Sequence, residues 1–136
     1  MTMKKFLLST IVCLIAFASN ASDIYRFKTT DLATKTYNYT YGYWNDWSDW
    51  EDCNVSVTIN FNNDRITIYS SKTQIYYITE YNDIEYDNDG SRQLTFNCLD
   101  DDGLRCDVRY RIQEDGQKQL YVDYNDMMWV YNIIER

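Results

Sequence analysis

Apolar and polar residues alternate with a period of two along most of the chain after residue 22. Val55, Val57, Ile59 and Phe61 point one way, and Ser56, Thr58 and Asn60 point the other. That is the pattern of a half-buried strand. A two-residue turn at Asn63-Asp64 sets Phe61 opposite Ile66 and Ile59 opposite Ile68. A turn at Ser71-Lys72 then sets Ile68 opposite Ile75 and Ile66 opposite Tyr77. After an Asp- and Asn-rich loop, Leu94, Phe96 and Cys98 alternate, followed by Leu104, Cys106, Val108, Tyr110 and Ile112, then Leu120 and Val122, then Trp129, Tyr131 and Ile133.

Turn chemistry sets the register of the last three hairpins. Asp100-Asp101-Asp102-Gly103 and Gln113-Glu114-Asp115-Gly116 both fit a type I turn followed by a left-handed glycine, the three-residue G1-bulge loop. The first pairs Phe96 with Val108 and Leu94 with Tyr110; the second pairs Tyr110 with Leu120 and Val108 with Val122. A tight turn at Asn125-Asp126 pairs Val122 with Trp129 and Leu120 with Tyr131. Apolar faces meet throughout, and a one-residue slip would destroy that agreement. With a strand near Ile24 to Lys28 and another within Thr36 to Tyr43, the expectation is an all-β antiparallel meander of about eight strands. It would form a small up-and-down barrel or a two-sheet roll.

Composition agrees. The chain has no proline and no histidine, and it carries 14 tyrosines and four tryptophans, residues that suit a pleated surface. The N-terminus follows another plan. Lys4 and Lys5 precede the uncharged, mostly apolar run Phe6 to Ala18, and small residues at Ser19 and Ala21 suit a cut after Ala21. These are the three parts of a signal peptide, so residues 1–21 are expected to be a signal and residues 22–136 a single domain that is exported to the periplasm or beyond the cell. The apolar run is shorter than the roughly 20 residues a membrane span needs, and no insertion is expected after cleavage. Processing leaves 11 basic against 21 acidic residues, a net charge of −10. Such a charge disfavours nucleic acid as a partner.

Chemistry is sparse. Absence of histidine removes imidazole-based triads and zinc sites, and the glycines at 42, 90, 103 and 116 read as turns rather than as a phosphate loop. No catalytic residues, cofactor or metal are assigned. Asp83, Glu85, Asp87 and Asp89 alternate like a calcium loop, but Phe96 stands where an EF-hand counted from Glu85 needs glutamate. Of the cysteines past the signal, the G1-bulge register places Cys98 opposite Cys106, and a disulfide is expected there. The outward face of the same hairpins carries Gln93, Thr95, Asn97, Asp107, Arg109, Arg111, Gln119, Tyr121 and Asp123, with Asp107 opposite Asp123. Arg105 and Arg109 stand close enough in sequence to neutralise that like-charge pair.

Tyr37, Tyr39, Tyr41, Tyr43, Trp44, Trp47 and Trp50 crowd into fourteen residues. Aromatic faces interleaved with Asp and Asn suit sugar rings and their hydroxyls, and Tyr41, Tyr43, Trp44, Trp47 and Trp50 are the candidate ligand-binding residues. The other reading is that these rings cover one face of the sheet and plug an end of the core. The ten residues from Trp44 to Cys53, with tryptophan at every third position before a cysteine, resemble the opening of a thrombospondin type 1 repeat. That family continues with arginine-bearing strands that stack between the tryptophans; here Asn54-Val55-Ser56-Val57 follows and the cysteine spacing departs. More broadly, the lysine-started signal, Ile66-Thr67-Ile68-Tyr69-Ser70 and the ending Leu120-Tyr121-Val122-Asp123-Tyr124 with Trp129-Val130-Tyr131 resemble small exported β-rich proteins of unknown function from Gram-negative gut bacteria. The expected function is a non-catalytic binding module for an unidentified ligand, with a glycan on the aromatic segment 37–50 as the candidate. The alternative is a structural or protein-interaction component of the cell envelope with a protein partner there.

Overall fold

The structure, a computed structural model, describes residues 23–136; the signal-peptide expectation lies outside them. Eleven strands follow one another: β1 (Ile24–Asn38), β2 (Tyr43–Trp44), β3 (Glu51–Asp52), β4 (Ser56–Asn60), β5 (Arg65–Ile68), β6 (Gln74–Tyr81), β7 (Glu85–Tyr86), β8 (Arg92–Asp100), β9 (Arg105–Ile112), β10 (Lys118–Asp123) and β11 (Met127–Glu135). Eight of them pair in the order β1-β4-β5-β6-β8-β9-β10-β11, and β11 returns to β1, with Leu32 opposite Tyr131 and Ala33 opposite Val130. Every pairing is antiparallel. The protein is therefore a closed eight-stranded barrel, with β2 and β3 paired to β1 and β7 paired to β8. Closure removes the free edges that an open sheet would expose.

Alternation fills the barrel. Phe27, Val57, Ile59, Ile66, Ile68, Leu94, Phe96, Val108, Tyr110, Leu120 and Val122 point inward and are essentially solvent-free. An eight-stranded barrel is just wide enough for side chains to fill it. The last three hairpins adopt the register that their turns predict: Phe96 faces Val108, Tyr110 faces Leu120, and Val122 faces Trp129. Gly103 and Gly116 take the left-handed conformation, φ 81° and 90°, that the G1 bulge demands. Leu104, expected to join the inward series, lies in the loop and is exposed.

The N-terminal half departs from expectation in three places. The two strands expected around Ile24–Lys28 and Thr36–Tyr43 are one strand of 15 residues. A bulge between Thr29 and Asp31 lets it serve β11 along most of its length while its other side passes from β4 to β3 and β2. It ends at Asn38, whose Oδ1 accepts from the Thr40 and Tyr41 N–H groups. Between β4 and β5 the loop has four residues rather than two, so Ile59 faces Ile66 and Val57 faces Ile68. That two-residue shift keeps every face. Between β5 and β6 the shift is odd: Ile66 faces Tyr76 and Ile68 faces Gln74. An odd slip exchanges faces, so Tyr76 and Ile78 are buried while Tyr77 is exposed.

Cys98 and Cys106 face each other as the turn predicts, and both are buried. They are free thiols, however, and the expected disulfide is not formed. The Asp100 N–H donates to the Leu104 carbonyl, which makes Cys98–Cys106 a hydrogen-bonded pair, the kind with the wider Cα separation, about 5.5 Å against 4.5 Å. Burial pushes the Cys106 thiol up to about 11 and raises Cys98 as well, so neither is a ready thiolate. Cys53 is half-buried and unbridged, its Sγ accepting from the Thr29 hydroxyl at 3.4 Å.

Candidate ligand surface on the outer wall

Residues 43–55 return along β1 and are clamped to it. The Asn45 N–H donates to the Thr36 carbonyl (2.9 Å) and the Ser48 N–H to the Thr34 carbonyl (2.7 Å), while the Thr34 N–H donates to Ser48 Oγ (2.9 Å). These bonds hold Trp47 and Trp50 against the outside of the barrel. They do not plug its end. On that outer wall, Ala33 of β1 and Val130 of β11 stand opposite each other, and Tyr121 of β10 stands opposite Val130. Ala33 and Val130 are 2% and 3% exposed although they point away from the core; the loop above them buries them. Ala33, Val130, Trp47, Ser48, Trp50 and Tyr121 enclose an open cleft of about 160 Å³.

Cations lie between the rings. Lys35 Nζ sits 4.8 Å from the Trp47 ring centre and 5.5 Å from that of Trp44. Trp47 meets Tyr121 edge to face at 6.1 Å, and the Arg109 guanidinium lies 4.0 Å from the Tyr121 ring centre. Trp44 in turn packs edge-on against Tyr37 at 5.6 Å. Tyr37, Trp44, Lys35, Trp47, Tyr121 and Arg109 thus form one continuous ladder of rings and cations on the outer wall. Each ring–cation contact contributes about 0.5–1 kcal/mol at such exposure. Burial raises the Tyr121 phenol, with Arg109 opposing the rise, and its hydroxyl donates to Gln119 Oε1 at 3.1 Å.

The five candidate residues separate into three places. Trp47 and Trp50 line the cleft, 37% and 48% exposed. Trp44 is clasped between Tyr37 and Lys35 outside it. Tyr41 and Tyr43 stack on one another, ring centres 6.0 Å apart, at the β1–β2 hairpin, and they are the most open of the five. The sequence pattern overlooked Lys35, Ala33 and Val130, since nothing in the alternation says that an outward alanine and valine are covered. Tyr121 was visible as the lone aromatic on an otherwise polar outward face.

Beside the ladder, the polar face is already self-neutralising. Asp107 does stand opposite Asp123, and Arg109 grips Asp123 with two nitrogens while Asn97 Nδ2 donates to Asp107 Oδ1 at 2.8 Å. Arg111 bridges Asp87 and Asp89 at 2.9 and 3.1 Å, so those loop acids converge on a guanidinium. Asp100, Asp101 and Asp102 bring carboxylate oxygens within 4.8 Å of one another. Asp100, though, serves the turn: Oδ1 accepts from the Asp102 and Leu104 N–H groups and Oδ2 from the Tyr124 hydroxyl.

Fold and surface together define a closed antiparallel eight-stranded barrel with an aromatic sleeve over part of its outer wall. Comparison with protein-family models, with curated proteins and with solved structures finds no match to the chain.

Proposed function

We propose that the chain is an exported, non-catalytic binding module whose ligand, a glycan, lies across the Trp47–Trp50 cleft. The observation that carries this reading is the pair of tryptophans held half-exposed around an outward cleft by the hydrogen bonds that clamp their loop to β1, with Lys35 over the Trp47 ring. Rings positioned so rigidly lose little conformational freedom when a ligand arrives, which favours binding. At about 160 Å³ the cleft is smaller than the roughly 300 Å³ at which enclosing small-molecule pockets begin. It suits the face of one sugar ring in an extended chain, with Ser48 in its lining and the carboxylates of Asp46 and Asp49 nearby in sequence. Export is supported by the Lys4-Lys5 start, the Phe6–Ala18 run and the small residues before position 22. The alternative of an envelope component that pairs through a sheet edge is weakened by closure, because each of the eight barrel strands has a partner on both sides.

The test uses Trp50, which is more open than Trp47 and has no role in the ladder. On a glycan array and in titrations with the best oligosaccharide, Trp50→Ala is expected to weaken binding by about tenfold, equivalent to roughly 1.4 kcal/mol, with an unchanged thermal midpoint. Equal binding by Trp50→Ala and wild type, or no oligosaccharide bound at all, overturns the reading.

A further inference from the structure

Alternate strands of a meander run in opposite directions, so the β5–β6, β8–β9 and β10–β11 connections share one end of the barrel. The inward positions at that end break the apolar rule. They are Gln74, Tyr76, Asp100, Tyr124 and Trp129, and with Ser70–Thr73 and Asp101–Asp102 they line a pocket of about 320 Å³. This volume falls in the range of about 300–1,000 Å³ usual for small-molecule sites, for which the mouth of a β-barrel is a recurring location.

The pocket floor is a connected polar layer laid on the core. The Tyr76 hydroxyl donates to Gln74 Oε1 (2.6 Å), and Gln74 Nε2 donates to the Tyr131 hydroxyl (3.1 Å) and to Ser70 Oγ (3.0 Å). The Tyr124 hydroxyl donates to Asp100 Oδ2 (2.7 Å). Tyr124 and Trp129 stack with ring centres 5.7 Å apart and form an aromatic wall. One donor is left over. The Trp129 indole N–H is buried and has no acceptor at hydrogen-bond geometry among the described residues; burial raises the neighbouring Tyr131 phenol, and the Gln74 amide and Trp129 indole beside it oppose that rise. A buried donor without an acceptor is costly, so proteins seldom keep one, and Trp129 is among the residues that line the pocket.

We propose that the barrel mouth is a second binding site, for an uncharged polyol of pyranose size that places one oxygen on the Trp129 N–H and a C–H face on the Tyr124–Trp129 wall. Charge decides the class. The rim carries the Asp101 and Asp102 carboxylates on one side and Lys72 on the other, which disfavours an anion. Both oxygens of Asp100 are occupied by Tyr124 and by backbone N–H groups, so no buried carboxylate is available to hold a cation. The lining that remains, phenol, amide, hydroxyl and indole, is neutral and hydrogen-bonding. This site does not depend on the Trp47–Trp50 cleft, with which it shares no residue.

The experiment follows the four tryptophan indole N–H signals in a nitrogen–proton correlation spectrum while glucose, galactose, N-acetylglucosamine and inositol are added separately at millimolar concentration. The expected result is a saturable shift of the Trp129 indole signal with at least one of the four, which Trp50→Ala leaves intact. Trp129→Phe keeps the wall and removes the donor, and it is expected to weaken that binding about tenfold, read from remaining backbone signals around Gln74 and Tyr124. Tyr124→Phe serves as a second variant should Trp129→Phe not fold, and it is expected to shift the same titration by loosening the wall. A Trp129 signal that stays still with all four compounds overturns the proposal, as does unchanged affinity in whichever variant folds.

Discussion

Phe96 of β8 and Trp50 of the loop between β2 and β3 are both large aromatics, yet Phe96 is 1% exposed and Trp50 is 48% exposed. Phe96 points into the barrel and touches Phe61 and Tyr81 at ring distances of 6.1 and 5.8 Å. Trp50 lies on the outer wall over Ala33 and Val130. Inside, rings are packed on all sides and contribute through burial, roughly 25 cal/mol for each Å² removed from water. Outside, they are positioned by backbone hydrogen bonds and by cations, and one face stays open. The same residue type is structural in the first place and available in the second. Composition alone cannot make that distinction, since a count of aromatics sums both populations.

The largest expected effect tests the interior half of this contrast. Phe96→Ala removes a fully buried ring between two aromatic neighbours, and urea unfolding should show a loss of about 3–5 kcal/mol. Trp50→Ala should lose less than about 0.5 kcal/mol, the level of an ordinary surface substitution. If the two losses are comparable, Trp50 is part of the structural core and the outer cleft is no ligand surface.

A middle-sized effect is expected at Arg109, which joins the ladder to the polar face. Its guanidinium covers the Tyr121 ring and also holds Asp123, which directly faces Asp107. Arg109→Ala removes a ring–cation contact and leaves two carboxylates opposed, at an expected cost of about 1–2 kcal/mol. Part of that loss should return in high salt, because screening shortens the reach of the repulsion. A deficit insensitive to salt would assign the cost to lost packing on Tyr121.

How far the sequence predicts this architecture depends on local chemistry. From Leu94 to Ile133 each turn has a diagnostic glycine or Asn-Asp pair and each strand has one clearly apolar face, and the expected register is the observed one. In β6 the run Ile75-Tyr76-Tyr77-Ile78 is apolar on both faces, so alternation could not choose between them. The choice was made by the β5–β6 loop, where Gln74 Nε2 reaches Ser70 Oγ and Ser70 Oγ donates to the Lys72 carbonyl. The long β1 reads as two strands because its bulge between Thr29 and Asp31 has no signature in the sequence. For the candidate surface, the cluster Trp44, Trp47 and Trp50 was legible, but its division into clasped and open rings was not. That division depends on Tyr37 and Lys35 of β1, which clasp Trp44 from two sides. The mouth pocket was hidden because Gln74, Tyr124 and Trp129 are far apart in sequence and meet only through closure.

A modest effect inside the barrel carries the opposite sign. Tyr110 is wholly buried beside Phe27, with ring centres 5.8 Å apart, and its hydroxyl has no hydrogen-bond partner among the described residues. Burial raises the phenol, with the Glu135 charge adding to the rise. An unpaired buried hydroxyl costs more than the contacts its oxygen makes, so Tyr110→Phe should stabilise the barrel by about 1 kcal/mol. The mouth offers the control. The Tyr124 hydroxyl is bonded to Asp100 at 2.7 Å, and Tyr124→Phe should destabilise by about 1 kcal/mol while the chemical change is identical. Equilibrium unfolding of the two variants beside wild type measures both. If Tyr110→Phe also destabilises, the interior is less apolar than its lining suggests, and a polar partner must reach the Tyr110 hydroxyl inside the barrel.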